Sequence, residues 1–135
     1  MSNKLSNKRT ALYIRVATAD DYAVDSQKQE LTAYAEKHGY ANIKIYEDNG
    51  FSGLTLIRPA FNELQADIQA GRVSTVIVKS ASRVGRNMID VMKWVWDITE
   101  LGVDFISLID PNGFLSAELS IDAILAAALK GGDDE

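Results

Sequence analysis

Four arginines, Arg15, Arg58, Arg83 and Arg86, are the residues of this chain best suited to chemistry. A guanidinium carries parallel N–H groups that match two oxygens of a phosphate. A cluster of such forks stabilises the charge that develops on phosphorus during a substitution. That chemistry also needs a nucleophile or an activated water, and a route for the proton. Arg83 and Arg86 are three residues apart, a spacing that suits one side of a turn. Arg15 stands inside an apolar run, Tyr13-Ile14-Arg15-Val16-Ala17, where an arginine needs a buried or shared partner. Asp48 is the candidate partner. Contact with a phosphate-bound water and simple capping of a loop are equally open to it. Against the phosphate reading stands a plainer one, in which all four arginines are surface residues paired with Asp or Glu.

The elements that must position these residues are legible from hydrophobic periodicity. Residues 11–17 read as a first strand. Asp25 and Ser26 offer an N-cap to a helix that runs to about His38, with Leu31, Tyr34, Ala35 and His38 on one face and Gly39 as its C-cap. Residues 42–47 alternate as a half-buried strand does, and Asp48 to Ile57 is a loop punctuated by Gly50 and Gly53. Pro59 suits the first turn of a second helix, which carries Phe61, Leu64 and Ile68 and ends at Gly71. A third strand covers 73–79. Asn87 or Met88 opens a third helix that ends before Gly102, and 103–109 is a fourth strand. Its wide apolar set puts Trp96 on the core side and leaves Trp94 to the surface or a subunit interface. Pro111-Asn112-Gly113 is a turn, and a last apolar helix runs from about Ala117 to Lys130.

Strands alternating with helices predict an α/β fold, a three-layer α/β/α arrangement around a mostly parallel sheet of four or five strands. In such sheets the ligand site lies beyond the carboxyl ends of the strands, where Ala17, Asp48 and the stretch after Lys79 all fall. The expected organisation is a disordered N-terminus over residues 1–9, one domain over 10–130 and an acidic tail over 131–135, with no DNA-binding domain. The chain has 135 residues, no cysteine and a single histidine, which excludes a disulfide framework and a cysteine-based metal site. His38 suits a helix C-terminus better than catalysis. No membrane-spanning run or signal peptide is evident, so a cytoplasmic location is expected and a membrane partner is not. The formal net charge of −5 argues against free-standing, sequence-independent DNA binding, which is normally the work of basic proteins.

Five short motifs occur in order: Tyr13-Ile14-Arg15-Val16-Ala17-Thr18, Asp25-Ser26-Gln27, Glu47-Asp48-Asn49-Gly50-Phe51-Ser52-Gly53, Arg58-Pro59, and Ser82-Arg83-Val84-Gly85-Arg86-Asn87. Together they resemble the catalytic domain of the serine recombinases, the resolvase/invertase family. The resemblance implies a resolvase-like fold and a site-specific recombinase that cuts DNA through a 5′-phosphoserine, exchanges strands in a synaptic tetramer and religates, with no metal or nucleotide cofactor. It implies that Arg15, Arg58, Arg83 and Arg86 bind the scissile phosphate. Arg15 would adjoin the nucleophile, Gln27 would help order the site and Asp48 would be the loop aspartate. DNA would be the partner, with self-association to a dimer or tetramer in the full-length family.

Three departures qualify that picture. Ala17 stands where the family has its nucleophilic serine, and a methyl group cannot attack phosphorus. Ser82 replaces a frequent aspartate. The apolar stretch from Leu119 to Leu129 resembles only the start of the family's long helix. Thr18, Ser26, Ser80 and Ser82 are poor substitutes for the missing hydroxyl, because in-line attack tolerates little misplacement. The chain is therefore expected to be inactive in cleavage. It is either a catalytic domain whose serine has been replaced by design, or a naturally inactive relative with an interaction or regulatory role. A flavodoxin-like or receiver-like domain is disfavoured, since an acidic pair after the first strand and a glycine-rich phosphate loop are both missing.

Overall fold

A computed structural model of the chain describes residues 8–51 and 58–109. The expected turn at 111–113, the last helix and the acidic tail lie outside the described residues. Four parallel strands, β1 (Arg9–Val16), β2 (Ile43–Asn49), β3 (Val73–Val78) and β4 (Asp104–Ser107), form one sheet in the order β2-β1-β3-β4. Three α-helices alternate with them: α1 (Asp21–Lys37), α2 (Pro59–Gln69) and α3 (Met88–Glu100). A short 3-10 turn, Ala81–Arg83, follows β3.

The strand order decides where the helices go. The chain steps outward from β1 to β2, then back past β1 to β3 and on to β4. Right-handed crossovers in opposite directions put their helices on opposite faces. Accordingly, Val24, Leu31 and Ala35 of α1 pack against Leu12, Ile14, Val16 and Ile77. Helices α2 and α3 cover the other face, where Phe61, Leu64, Val91 and Val95 meet Ala11, Tyr13, Val76 and Val78. The strict alternation along β1 is the period of two at work. It also puts Arg15 on the side of Ala11 and Tyr13, under α2 and α3. The order reverses between β1 and β3, so the crevice beyond their carboxyl ends is the position where open α/β sheets bind ligands.

Several element boundaries differ from the sequence reading. Strand β1 begins at Arg9, inside the stretch expected to be disordered, because Arg9 is tied to the start of β3 through Arg72 O at 2.7 Å. Helix α1 starts at Asp21, four residues before the expected cap. Asp20 is the true N-cap and accepts from Ala23 N at 3.0 Å, an early start that brings Val24 onto the buried face. Strand β2 runs on to Asn49, so Asp48 is a strand residue rather than the first of a loop. The tryptophans reverse their expected roles. Trp94 packs between Phe61 and Phe105 and donates to Gln65 Oε1 at 3.2 Å, while Trp96 is half-exposed and outside the core. The two lie on opposite flanks of the α3 apolar stripe, and only the flank carrying Trp94 faces α2.

Candidate active site

Parallel pairing sets the site's first layer. Strands β1 and β2 align Tyr13 with Tyr46 and Arg15 with Asp48, so these four side chains share the face covered by α2. Asp48, only 1% exposed, does not pair with Arg15. Its Oδ2 accepts from the Tyr13 hydroxyl at 2.7 Å and from Phe61 N at 3.0 Å, and its Oδ1 from Ala60 N at 2.9 Å. The two amides belong to the first turn of α2, where backbone N–H groups have no intrahelical partner. Arg58, the residue before α2, makes no side-chain cap of its own. Asp48 therefore caps α2 from a neighbouring strand, and its charge suits the positive end of the helix. Of the roles open to it, capping is the one the geometry fills. Burial and the Asp48 hydrogen bond push the Tyr13 phenol far above its usual range, so it remains a proton donor.

Arg15 is 4% exposed and spends its fork on backbone carbonyls. Its Nη2 donates to Ser82 O at 2.6 Å, Nε to Arg83 O at 2.9 Å and Nη1 to Phe51 O at 3.2 Å. Arg58 is 9% exposed. Its Nη1 donates to Val84 O, its guanidinium lies 4.4 Å from the centre of the Phe61 ring, and its Nε is buried without a partner. Arg58 is thus buried at the start of α2, held by that carbonyl and that ring.

Arg83 sits at the end of the 3-10 turn with its Nε buried and unpartnered. The backbone of this turn lies against Arg15, whose Nε donates to the Arg83 carbonyl. Arg86 is exposed three residues further on, and Ala17 is exposed immediately beyond β1. Gln27 is buried on α1, across the sheet from Arg15, with its Oε1 lacking a hydrogen-bond partner. The arginines do not reach it.

Among the described residues, no carboxylate forms an ion pair with Arg15, Arg58, Arg83 or Arg86. Arg15 and Arg58, buried and held by carbonyls, are not members of surface pairs. Carbonyl dipoles hold all three nitrogens of Arg15 and the Nη1 of Arg58 but leave the charge of both in place. Burial, with Arg58 and Arg83 close by, pulls the Arg15 pKa downward, although a guanidinium stays charged. The result is a buried positive field at the β1/β3 crevice, suited to an anion. Among the described residues, no group of three or more His, Cys, Asp or Glu side chains is placed to hold a metal.

The loop after β2 is laced to the end of β1. Gly50 N and Phe51 N both donate to Val16 O, at 2.8 and 3.0 Å. Asp20 N donates to Asn49 Oδ1 at 2.8 Å. Gly50 has φ +93°, and a Cβ there would come within 3.3 Å of Ala19 Cβ. The supporting roles of Tyr13, Phe61 and the carbonyls of Phe51, Ser82, Arg83 and Val84 escaped the sequence reading. The matched two-residue spacings Tyr13/Arg15 and Tyr46/Asp48 were the signal for the first. Nothing in a sequence marks a backbone carbonyl as the partner of a distant arginine.

A doubly wound parallel sheet, with arginines that lack carboxylate partners among the described residues at its switch point, defines an α/β domain of the resolvase-like class. The chain belongs to the resolvase family of serine recombinases: the family model for the resolvase N-terminal domain matches residues 10–128. It is 33% identical over 95 residues to the serine recombinase PinR of Escherichia coli K12, covering 70% of this chain and 46% of that protein. It is 36% identical over 84 residues to a putative DNA recombinase of Bacillus subtilis 168, covering 59% of this chain and 16% of that one. The chain thus spans less than half the length of these curated relatives. Among solved structures, it resembles the N-terminal catalytic domain of TP901-1 integrase, with a TM-score of 0.75, 32% identity and 94% and 95% of the two chains covered. A resolvase-family site-specific recombinase from Streptococcus pneumoniae gives a TM-score of 0.74 at 31% identity, covering 94% and 89%.

Proposed function

We propose that this domain binds the DNA backbone at the β1/β3 crevice as the phosphate-binding part of a site-specific recombinase, and that it does not cleave DNA because Ala17 holds the position of the attacking serine. The observation that carries the reading is the set of arginines at the switch point of the sheet that have no carboxylate partner among the described residues. A buried cation without a counterion is costly, and a phosphate supplies the missing charge. Ala17 follows Val16 directly, at the end of the strand that carries Arg15. A hydroxyl at that position would lie beside the field that stabilises a phosphorane-like transition state. A cytoplasmic location goes with a DNA substrate, and self-association goes with strand exchange.

The test restores the hydroxyl. Ala17→Ser, joined to a DNA-binding domain and given its cognate site, is expected to form a covalent protein–DNA adduct that survives denaturing electrophoresis; the Ala17 form gives none. A folded Ala17→Ser protein that binds the site and yields no adduct would sink the reading of an otherwise intact pocket.

A second reading rests on the same alanine. A chain that meets DNA without cutting it would act as a regulatory partner of an active recombinase. Mixing it with such a relative should lower recombination in proportion to the amount added. Unchanged recombination at a large excess counts against that role.

A further inference from the structure

We infer that the four arginines are divided by role: Arg15 and Arg58 are positioning residues that clamp the backbone of the 82–84 turn, leaving Arg83 and Arg86 to meet the phosphate. This rests on the proposed phosphate-binding function and separates the tasks within it.

The division follows from where the N–H groups go. Three consecutive carbonyls, those of Ser82, Arg83 and Val84, accept from two buried guanidinium groups arriving on different segments. Arg15 of β1 takes the first two, and Arg58 at the head of α2 takes the third. Arg15 also holds Phe51 O, so one side chain ties the turn to the loop after β2. Each of its three nitrogens is committed to a carbonyl. Both arginines are at least nine-tenths buried.

Arg83 and Arg86 differ on each count. Among the described residues, neither guanidinium has a hydrogen-bond partner, and the Nε of Arg83 is a buried donor left open. Arg83 is partly exposed and Arg86 is exposed. Their backbone belongs to the segment that the other two arginines hold. The turn itself is short, with Arg83 N on Ser80 O and Val84 N on Ala81 O, both at 3.0 Å, and such a piece is weakly stable alone. Two cationic forks on its carbonyls supply the rigidity that precise phosphate placement requires. Lysine cannot replace Arg15 here, because one ammonium does not reproduce a fork spread over three carbonyls.

Two measurements on the existing chain separate positioning from contact. The first is amide hydrogen exchange at Arg83 and Val84 in the free protein. Arg15→Lys and Arg58→Lys keep the charge, and each is expected to speed exchange at these amides about tenfold or more. Arg86→Lys, which removes no clamp, leaves them unchanged. Unaltered exchange in both the Arg15 and Arg58 variants overturns the clamp.

The second is the salt dependence of binding to a short DNA duplex. Each lost phosphate contact lowers the slope of log K against log salt by about 0.9. Arg83→Gln and Arg86→Gln are expected to show that loss. Arg15→Gln and Arg58→Gln weaken binding with the slope retained. A loss of slope in Arg15→Gln equal to that in Arg83→Gln overturns the division. If the unsubstituted chain binds no duplex even at low salt, the phosphate function itself fails, and the exchange measurement still decides whether the clamp exists.

Discussion

Asp48 is the residue whose surroundings most restrict what it can do. Three donors converge on it: the Tyr13 hydroxyl and the amides of Ala60 and Phe61. Tyr13→Phe removes one and leaves the carboxylate two amides, for an expected loss of about 1 kcal/mol. Asp48→Ala strands all three donors inside the protein and should cost about 3 kcal/mol or more. Urea denaturation of the two variants gives the comparison. Equal losses would mean that Asp48 does not hold the start of α2. The high Tyr13 pKa adds that this phenol stays protonated through the neutral range, so the loss from Tyr13→Phe should be the same at pH 6 and pH 8.

At the scale of elements, the crevice depends on the lacing of the β2 loop to the end of β1. Gly50 permits that lacing twice over. Its φ of +93° is one that side chains rarely adopt, and a Cβ would meet Ala19 at 3.3 Å. Gly39 also has positive φ, at +79°, with open space around its missing Cβ. Gly39→Ala should therefore cost about 1 kcal/mol for backbone strain alone. Gly50→Ala should cost more, and it should also disturb the nearby Phe51 carbonyl that Arg15 holds. Thermal unfolding of the pair tests this; a smaller loss at Gly50 would argue against close packing of the loop on residues 17–20. Much of the element order was legible beforehand from period and punctuation, as with Pro59 at the head of α2. The extension of β2 to Asp48 was not, because a strand's end is set by pairing with its neighbour, and Asp48 is in the sheet through its register with Arg15.

Across the whole molecule, opposite ends of the sheet carry opposite electrostatic designs. At the carboxyl ends the arginines have no carboxylate partners among the described residues. At the amino ends, Asp67 is surrounded: Arg9 Nη1 at 2.8 Å, Lys44 Nζ at 3.4 Å, Arg72 Nη1 at 3.3 Å and the Tyr46 hydroxyl at 2.6 Å. The Tyr46 hydrogen bond foremost, with the cations in support, lowers the Asp67 pKa, and burial pushes the Tyr46 phenol up to about 12. A carboxylate with a depressed folded pKa adds stability above its unfolded value near 3.8, and that stability is lost as pH falls through the folded pKa. Asp67→Asn should therefore be destabilised relative to the native chain at pH 7, with the gap narrowing below about pH 4. A gap independent of pH would show that the hub's charge contributes nothing.

The net charge of −5 surrounds a local basic crevice, so DNA binding should be weak and should fall steeply between low and physiological salt in a titration. Binding indifferent to salt would place the contact elsewhere.

The sequence by itself determined the class of fold, the order of its elements, the five motifs of the family and the alanine at the end of β1. These follow from local spacing and residue type, which a chain carries whether or not it is folded. The tertiary structure alone decided what each charged residue faces. Asp48 turned from a partner of Arg15 to the cap of α2, and Arg58 is buried with its Nη1 on the Val84 carbonyl. Trp94, not Trp96, joined the core. The partners in the first two cases are backbone groups that every residue possesses, so side-chain identity could not announce them. Only the register of β1 against β2, and the return of the chain to β3, bring those groups within reach.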